Sequence, residues 1–457
     1  MATAAQALTV REFIDQRPMS RFQIWTVAVC TFVLVLDGFD AQLINYTAPP
    51  MAETMHIPVN RFGPIFSASL IGLMLASMAT GPIADRWGRK WPVIASVCSF
   101  AAFSLATAHV TGFSELWLLR FAAGLGLGGA MPNVVALASE YVPRRLLPIL
   151  VPIVFVGMPL GGTTAGLASA AIIRHGGWQS MYYIGGALPL VISFFLIALL
   201  PESIQFLAEK GEAAPSIRKI LARISRETPE PDFETISSSR ARGRQGVPVV
   251  RLFTEGRTAG TILLWVPYFM NLLLIYFTGS WLPALLRGEG MTLAAASTAT
   301  AFISFGGMFG CLAEGFLIKR GGPGGVLLLQ YALAGLFLAL LAEMSVPFYV
   351  MLVFTFTAGF MIIGAQGGLN ALTASFYPTS IRSTGLGWAL GVGRVGSIVG
   401  PLVGGVFLTS FHWKPSQMLL FGTFVAGLAC VSIFAATFIR SSAAVYSRES
   451  SLDRVES

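Results

Sequence analysis

Two carboxylates stand three residues apart inside an apolar run, in Asp37-Gly38-Phe39-Asp40. On a helix that spacing puts both on one face. Ionisable groups in hydrocarbon cost free energy unless paired or hydrated, so each one needs a function or a partner to justify it. Asp37 is expected near the midplane of its helix and Asp40 about a turn nearer the outside. A carboxylate in that setting can take a proton from the external medium; the alternative is a structural pair that holds a neighbouring arginine.

Arg120, in Arg120-Phe-Ala-Ala-Gly124-Leu-Gly126-Leu-Gly128, falls in another apolar run at a depth similar to Asp40. An Asp40–Arg120 pair would neutralise both charges. Protonating the aspartate would then release the arginine, which makes the pair a coupling switch if it moves and a fixed ion pair if it does not. Arg394, in Gly391-Val-Gly393-Arg394-Val-Gly396-Ser397, has no obvious acidic partner in its own half, since Glu314 and Glu343 fall near helix ends. A central guanidinium in a watery cavity suits a carboxylate, which it can clamp bidentately; otherwise its partner comes from another helix, such as Asp37. Tyr268, Asn271, Tyr276 and Trp281 in one run, with Gln366 and Asn370 in another, can complete a site for an aromatic solute. Each ring serves equally well as packing. Asn271 holds in the second half of the chain the place that Asp37 holds in the first.

Charges at helix ends suggest gates. Asp85, Arg86 and Arg89 cluster in Gly81-Pro-Ile-Ala-Asp85-Arg86-Trp-Gly-Arg89-Lys90, and Glu140 and Arg144 are four residues apart. Such groups can latch one side shut, or the basic ones can simply hold their loops inside. The four histidines, His56, His109, His175 and His412, map to outer loops or helix ends, so no histidine proton relay is expected. Cys30, Cys98, Cys311 and Cys430 read as small buried hydrophobes with neither disulfide nor metal spacing. There is no phosphate-binding loop, catalytic triad or zinc-protease motif. An enzyme is not expected and neither is a bound cofactor; uphill movement of a solute would draw on a proton gradient.

These residues must be positioned by membrane-spanning elements. Of 457 residues 54% are hydrophobic and 11% charged, against about a quarter charged in soluble domains, too little charge to clothe a water-facing surface. A helix needs about 20 apolar residues to cross the hydrocarbon core. Spans fall at roughly 22–48, 62–84, 91–110, 114–137, 147–173, 179–200, 259–285, 294–318, 324–343, 347–375, 384–408 and 416–440. The chain thus divides into a segment 1–21, a six-helix bundle 22–200, a polar linker 201–258 with an amphipathic helix near Ile217–Ile224, a second bundle 259–440 and a tail 441–457. The first helix is expected to act as an uncleaved insertion signal. Nearly every basic residue outside the spans lies on one side; only Arg61, Arg174, Arg287 and Lys414 lie on the other. The positive-inside rule then puts both termini in the cytoplasm. The net charge of +8 is an orientation signal, and nucleic acid is not needed to explain it. Gly315-Phe-Leu-Ile-Lys319-Arg320-Gly-Gly echoes the Gly81–Lys90 loop half a chain later, as two related bundles require. The fold class is an all-α membrane protein of twelve transmembrane helices in two pseudo-symmetric six-helix bundles, with a cavity that opens to each side in turn.

The Gly81–Lys90 loop resembles the signature of the major facilitator superfamily. More narrowly, nearly the whole chain resembles the aromatic acid:proton symporter family of 4-hydroxybenzoate and protocatechuate-type transporters. The residues that carry this are Asp37-Gly-Phe-Asp40, Gly126-Leu-Gly-Gly-Ala-Met-Pro132-Asn133 with Ser139-Glu140-Tyr141, Leu200-Pro201-Glu202-Ser203, and Gly385-Leu-Gly-Trp388-Ala-Leu-Gly391-Val-Gly393-Arg394. The resemblance implies import of a small aromatic carboxylate with protons across a bacterial inner membrane, and importance for Asp37, Asp40, Asp85, Arg120, Glu140, Arg382 and Arg394. A monomer is expected. Two positions depart from the family: Lys319 stands where the second loop has an acid, and Gln179 follows Trp178 where an arginine is usual. Gly396-Ser-Ile-Val-Gly400-Pro401-Leu-Val-Gly404-Gly405 resembles an antiporter glycine motif, but it lies in helix eleven and that motif belongs in helix five. The rival readings are an exporter of similar acids and a membrane receptor that binds them without flux.

Overall fold

Lipid offers the backbone no hydrogen-bond partners, so apolar runs of spanning length close their own N–H and C=O groups as helices. The computed structural model describes residues 10–209, 214–225, 249–254, 256–343, 346–378 and 380–456. Among them there are no strands, and eleven helical segments are long and apolar enough to cross a bilayer. In the first half these are α1 (Arg21–Met55), α2 (Phe62–Trp87), α3 (Lys90–Thr107), α4 (Phe113–Tyr141), α5 (Arg144–Gly176) and α6 (Gln179–Leu199). α7 (Thr258–Gly288) opens the second half.

The next segment, Leu293–Ala342, has 50 residues, with Gly322 at φ 69° and ψ 155° inside it. Fifty helical residues would run about 75 Å against a hydrocarbon core of about 30 Å. Only glycine adopts that backbone conformation readily, and Pro323 follows it. The segment is therefore two spans, α8 (293–321) and α9 (323–342). α10 (Phe348–Phe376), α11 (Arg382–Thr409) and α12 (Pro415–Phe438) complete twelve.

Small residues let these helices touch backbone to backbone, which replaces the hydrophobic effect as the packing force in lipid. A side chain on Gly38 would strike the backbone of Met158 and one on Gly161 that of Val35, so α1 lies against α5. Gly396 and Gly400 meet Phe269 and Leu273 in the same way, so α11 lies against α7. Gly124 on Ser69 joins α4 to α2, as Gly359 on Ile303 joins α10 to α8. Gly186 on Ala101 joins α6 to α3, and the Thr423 hydroxyl donates to the Gly335 carbonyl at 3.1 Å to join α12 to α9. Corresponding pairs in the two halves pack alike, which is the pseudo-symmetry that the loop echo implies.

Among the described residues, those up to 43 and of 68–225 form one compact unit, and those of 44–67 and 249–456 form another. The sequence halves and the compact units thus differ at one end of α1 and α2. Phe66 meets Trp281 edge-on at 5.3 Å, Ser67 donates to the Ile398 carbonyl at 2.8 Å, and Arg287 pairs with Glu53 at 2.8 Å. The amphipathic stretch of the linker is a helix, Ala214–Ile224, whose Ile217, Leu221 and Ile224 are buried in the first unit. Linker residues 226–248 and the side chains of Arg440, Arg448 and Arg454 lie outside the described set.

Candidate functional site

Four helices of the first unit converge on one ion pair. Asp40 of α1 and Arg120 of α4 are 3.7 Å apart, Oδ2 to Nη1, with side chains 0% and 1% exposed. Ser104 of α3 donates to Asp40 Oδ1 and accepts from Arg120 Nη2 at 3.0 Å. The same nitrogen reaches Thr107 Oγ1 at 3.2 Å, while the Thr107 hydroxyl is committed to the Phe103 carbonyl. Tyr182 of α6 lays its ring 5.1 Å from the guanidinium carbon, near enough for a cation–π contact. The structure brings together the charged pair that the sequence names and adds hydroxyls that it does not. Asp37 is buried one turn away.

The expected Glu140–Arg144 pair is not formed. Glu140 pairs instead with Arg89, and Ser203 donates to its carboxylate at 2.8 Å. Arg144 is 73% exposed and pairs with Asp15 at 3.6 Å. The reason is local: α4 stops at Tyr141, and Val142 is extended at φ −97° and ψ 133°, as the residue before a proline prefers. Arg144 therefore leaves the helical face that i,i+4 spacing assumes. Glu202, in the Leu200–Ser203 string, accepts from the backbone N–H of Arg89 at 2.7 Å and of Lys90 at 3.1 Å, capping the start of α3. Asp85 and Arg86 are exposed, and Asp85 has no ion pair among the described residues. Arg382 is half-buried, with Nε 3.4 Å from the Tyr377 carbonyl.

In the second unit the amides and phenol of α7 and α10 form two rungs. Tyr268 donates to Asn370 Oδ1 at 2.8 Å, and Asn271 donates to Gln366 Oε1 at 3.1 Å. Among the described residues, buried polar atoms nearby lack partners: Asn271 Oδ1, Gln366 Nε2 and Tyr331 OH. Such orphans mark places where water or a solute belongs. Arg394, half-buried on α11, makes neither an ion pair nor a side-chain hydrogen bond among the described residues. Tyr276 is half-buried. Trp281 stands apart from the rungs, ten residues or about 15 Å along α7 from Asn271. It is fully buried, donates to the Pro401 carbonyl at 3.0 Å and packs on Phe66. In the structure the indole pins α7 to α11, apart from the polar residues it is grouped with in the sequence.

One group escaped the sequence reading. Glu314, set aside as near a helix end, is 3% exposed and accepts from Gln330 Nε2 at 2.6 Å. Its cover comes from α10, where Gly367 and Gly368 lie against the carboxylate without side chains of their own. The signal available in the sequence was an acid inside an apolar run.

The chain matches the profile described as Major Facilitator Superfamily over residues 30–401. It is 37% identical over 427 residues to the gallate transporter of Pseudomonas putida, spanning 93% of this chain and 95% of that one. It is also 37% identical over 432 residues to the 4-hydroxybenzoate transporter PcaK of the same species, spanning 94% and 96%. Among solved structures, a bacterial homologue of the human lysosomal transporter Spinster superposes with a TM-score of 0.68 at 16% identity, over 91% of this chain and 97% of that one. That similarity speaks to the fold alone. With twelve spans, paired halves and this sequence kinship in place, the chain is a member of the major facilitator superfamily and stands among its aromatic acid transporters.

Proposed function

We propose that the protein imports a small hydroxybenzoate-like carboxylate together with protons by alternating access, across a bacterial inner membrane and with both termini cytoplasmic. The observation that carries this reading is Arg394: a half-buried guanidinium on a membrane-spanning helix with no acidic partner among the described residues. A carboxylate is the ligand whose charge and forked geometry answer it. The relatives named for gallate and 4-hydroxybenzoate supply the substrate class. The Tyr268–Asn370 and Asn271–Gln366 rungs offer donors and acceptors suited to ring hydroxyls.

Coupling follows from the first unit. Protonating Asp40 removes the negative end of its pair and loosens Arg120, so the proton changes which contacts hold α1, α3 and α4 together. The energetics favour carrying one: a monoanion entering a negative interior climbs about 2.3 kcal/mol per 100 mV, and a co-transported proton cancels that charge. A second reading, export of similar acids, uses the same residues with the opposite direction of net flux.

The test is uptake by proteoliposomes of a panel of ring acids under an imposed inward proton gradient, with benzyl alcohols as uncharged analogues. Accumulation of hydroxybenzoates but not alcohols is expected. Accumulation of the alcohols would remove the carboxylate from the reading, and expulsion of acids preloaded into the vesicles would favour the exporter.

A further inference from the structure

Glu314 is a buried acid of the second unit that this mechanism leaves unused. It lies on α8 within a membrane span, 3% exposed. Among the described residues no cation pairs with it. Carrying a lone charge away from water costs several kcal/mol, so the carboxylate needs a compensating partner, and its surroundings offer one side-chain hydrogen bond, from Gln330, beside the backbone of Gly368. Gln330 Nε2 donates to Oε2 at 2.6 Å, while Glu314 Oε1 and Gln330 Oε1 are both buried without partners. Two acceptors cannot satisfy each other. A proton on Glu314 Oε1 would supply the donor that both orphans lack: Oε1–H would donate to Gln330 Oε1 while Gln330 Nε2 donates to Oε2.

We propose that Glu314 is a second proton-binding site, carried by the second unit and separate from the Asp40–Arg120 cluster, and that it loads and releases its proton during transport. The transport clause rests on the proton-coupled uptake proposed above; the binding site itself does not. The groups that face Glu314 are compatible with proton exchange. Tyr331 on α9 and Cys311 one turn back on α8 are the titratable ones. α10 presents Gly367 and Gly368, and the α9 contact at that point is Leu327. Among the described residues no charged side chain intervenes. Tyr331 lies within electrostatic reach of both Glu314 and Tyr268, and Tyr268 is a rung of the polar ladder on α7 and α10. Tyr331 therefore stands between the proposed substrate region and the buried acid in electrostatic reach of both, without a hydrogen bond to either.

The experiment uses the full-length protein in lipid nanodiscs and reads infrared difference spectra across a pH titration, for wild type and Glu314→Gln. The amide keeps both hydrogen bonds to Gln330, so folding should survive. In wild type the carbonyl stretch of a neutral carboxylic acid is expected to fade as pH rises, and that component should be missing from Glu314→Gln. Superimposable spectra would overturn the proposal. If Glu314→Gln does not fold, Gln330→Leu leaves the acid in place and must shift the same band; an unshifted band counts against the site. In proteoliposomes, Glu314→Gln should move one proton fewer per 4-hydroxybenzoate than wild type, and an unchanged count would overturn the transport role. Wild type that moves no proton at all would reject the symport reading, while the nanodisc spectra still judge Glu314 independently.

Discussion

Asp40 and Arg120 face each other at 3.7 Å, and a serine hydroxyl joins them more tightly than they join each other. Ser104 gives its proton to Asp40 and takes one from Arg120 at 3.0 Å. Asp40 Oδ2 and Arg120 Nε have no hydrogen-bond partner. The pair is thus held in place but not saturated, which is what the proposed coupling role requires of it.

The first prediction concerns this link. Asp40→Asn should abolish accumulation driven by a proton gradient while preserving exchange of labelled for unlabelled substrate. Arg120→Leu should be worse for the fold, because it strands a buried aspartate at a cost of about 3–5 kcal/mol. The double variant should recover stability without recovering accumulation. Thermal melting and vesicle uptake read the two effects separately, and uphill uptake by Asp40→Asn would reject the coupling role.

Arg394 is tested through affinity. A hydrogen bond to a charged group is worth about 1.5–3 kcal/mol, roughly ten- to a hundredfold in Kd. Arg394→Gln should weaken carboxylate binding by that factor with little loss of stability, since no ion pair or side-chain hydrogen bond is broken among the described residues. Arg394→Lys should recover only part, because an ammonium cannot reproduce the fork. Unchanged affinity in Arg394→Gln, measured by calorimetry with 4-hydroxybenzoate, would move the carboxylate site elsewhere.

Glu140 and Arg144 should part company in stability measurements. Glu140→Ala removes the partner of Arg89 and of the Ser203 hydroxyl and should cost about 1–3 kcal/mol. Arg144 is 73% exposed in its pair with Asp15, so Arg144→Ala should stay within about 1 kcal/mol of wild type. Equal losses, read from chemical denaturation in detergent, would restore the pairing that sequence spacing suggested.

Trp281→Phe should lose the bond to the Pro401 carbonyl, about 1–3 kcal/mol, and leave substrate KM near wild type. Tyr268→Phe, which breaks the rung to Asn370, should raise KM for ring-hydroxylated acids. The opposite pattern would put the indole back in the substrate site.

The twelve spans and the Asp40–Arg120 pair were legible because charges in apolar runs are few and each must be answered. Ser104 and Thr107 were not, since hydroxyls also bond their own helix and carry no marker of a distant partner. Glu140 was assigned to Arg144 on helical spacing that the extended Val142 before Pro143 breaks. Glu314 falls near a helix end in the sequence, yet two side-chain-free glycines of α10 let that end be covered. Trp281 and Tyr268 share a helix and a residue class, and only tertiary contacts separate a packing pin from a polar rung.

The most direct test of the account is simultaneous recording of internal pH and labelled 4-hydroxybenzoate in proteoliposomes bearing the purified protein. With no imposed pH gradient and an inward substrate gradient, the account predicts acidification of the interior in step with uptake, and loss of that acidification in Asp40→Asn. Uptake by the wild type without any acidification would contradict it.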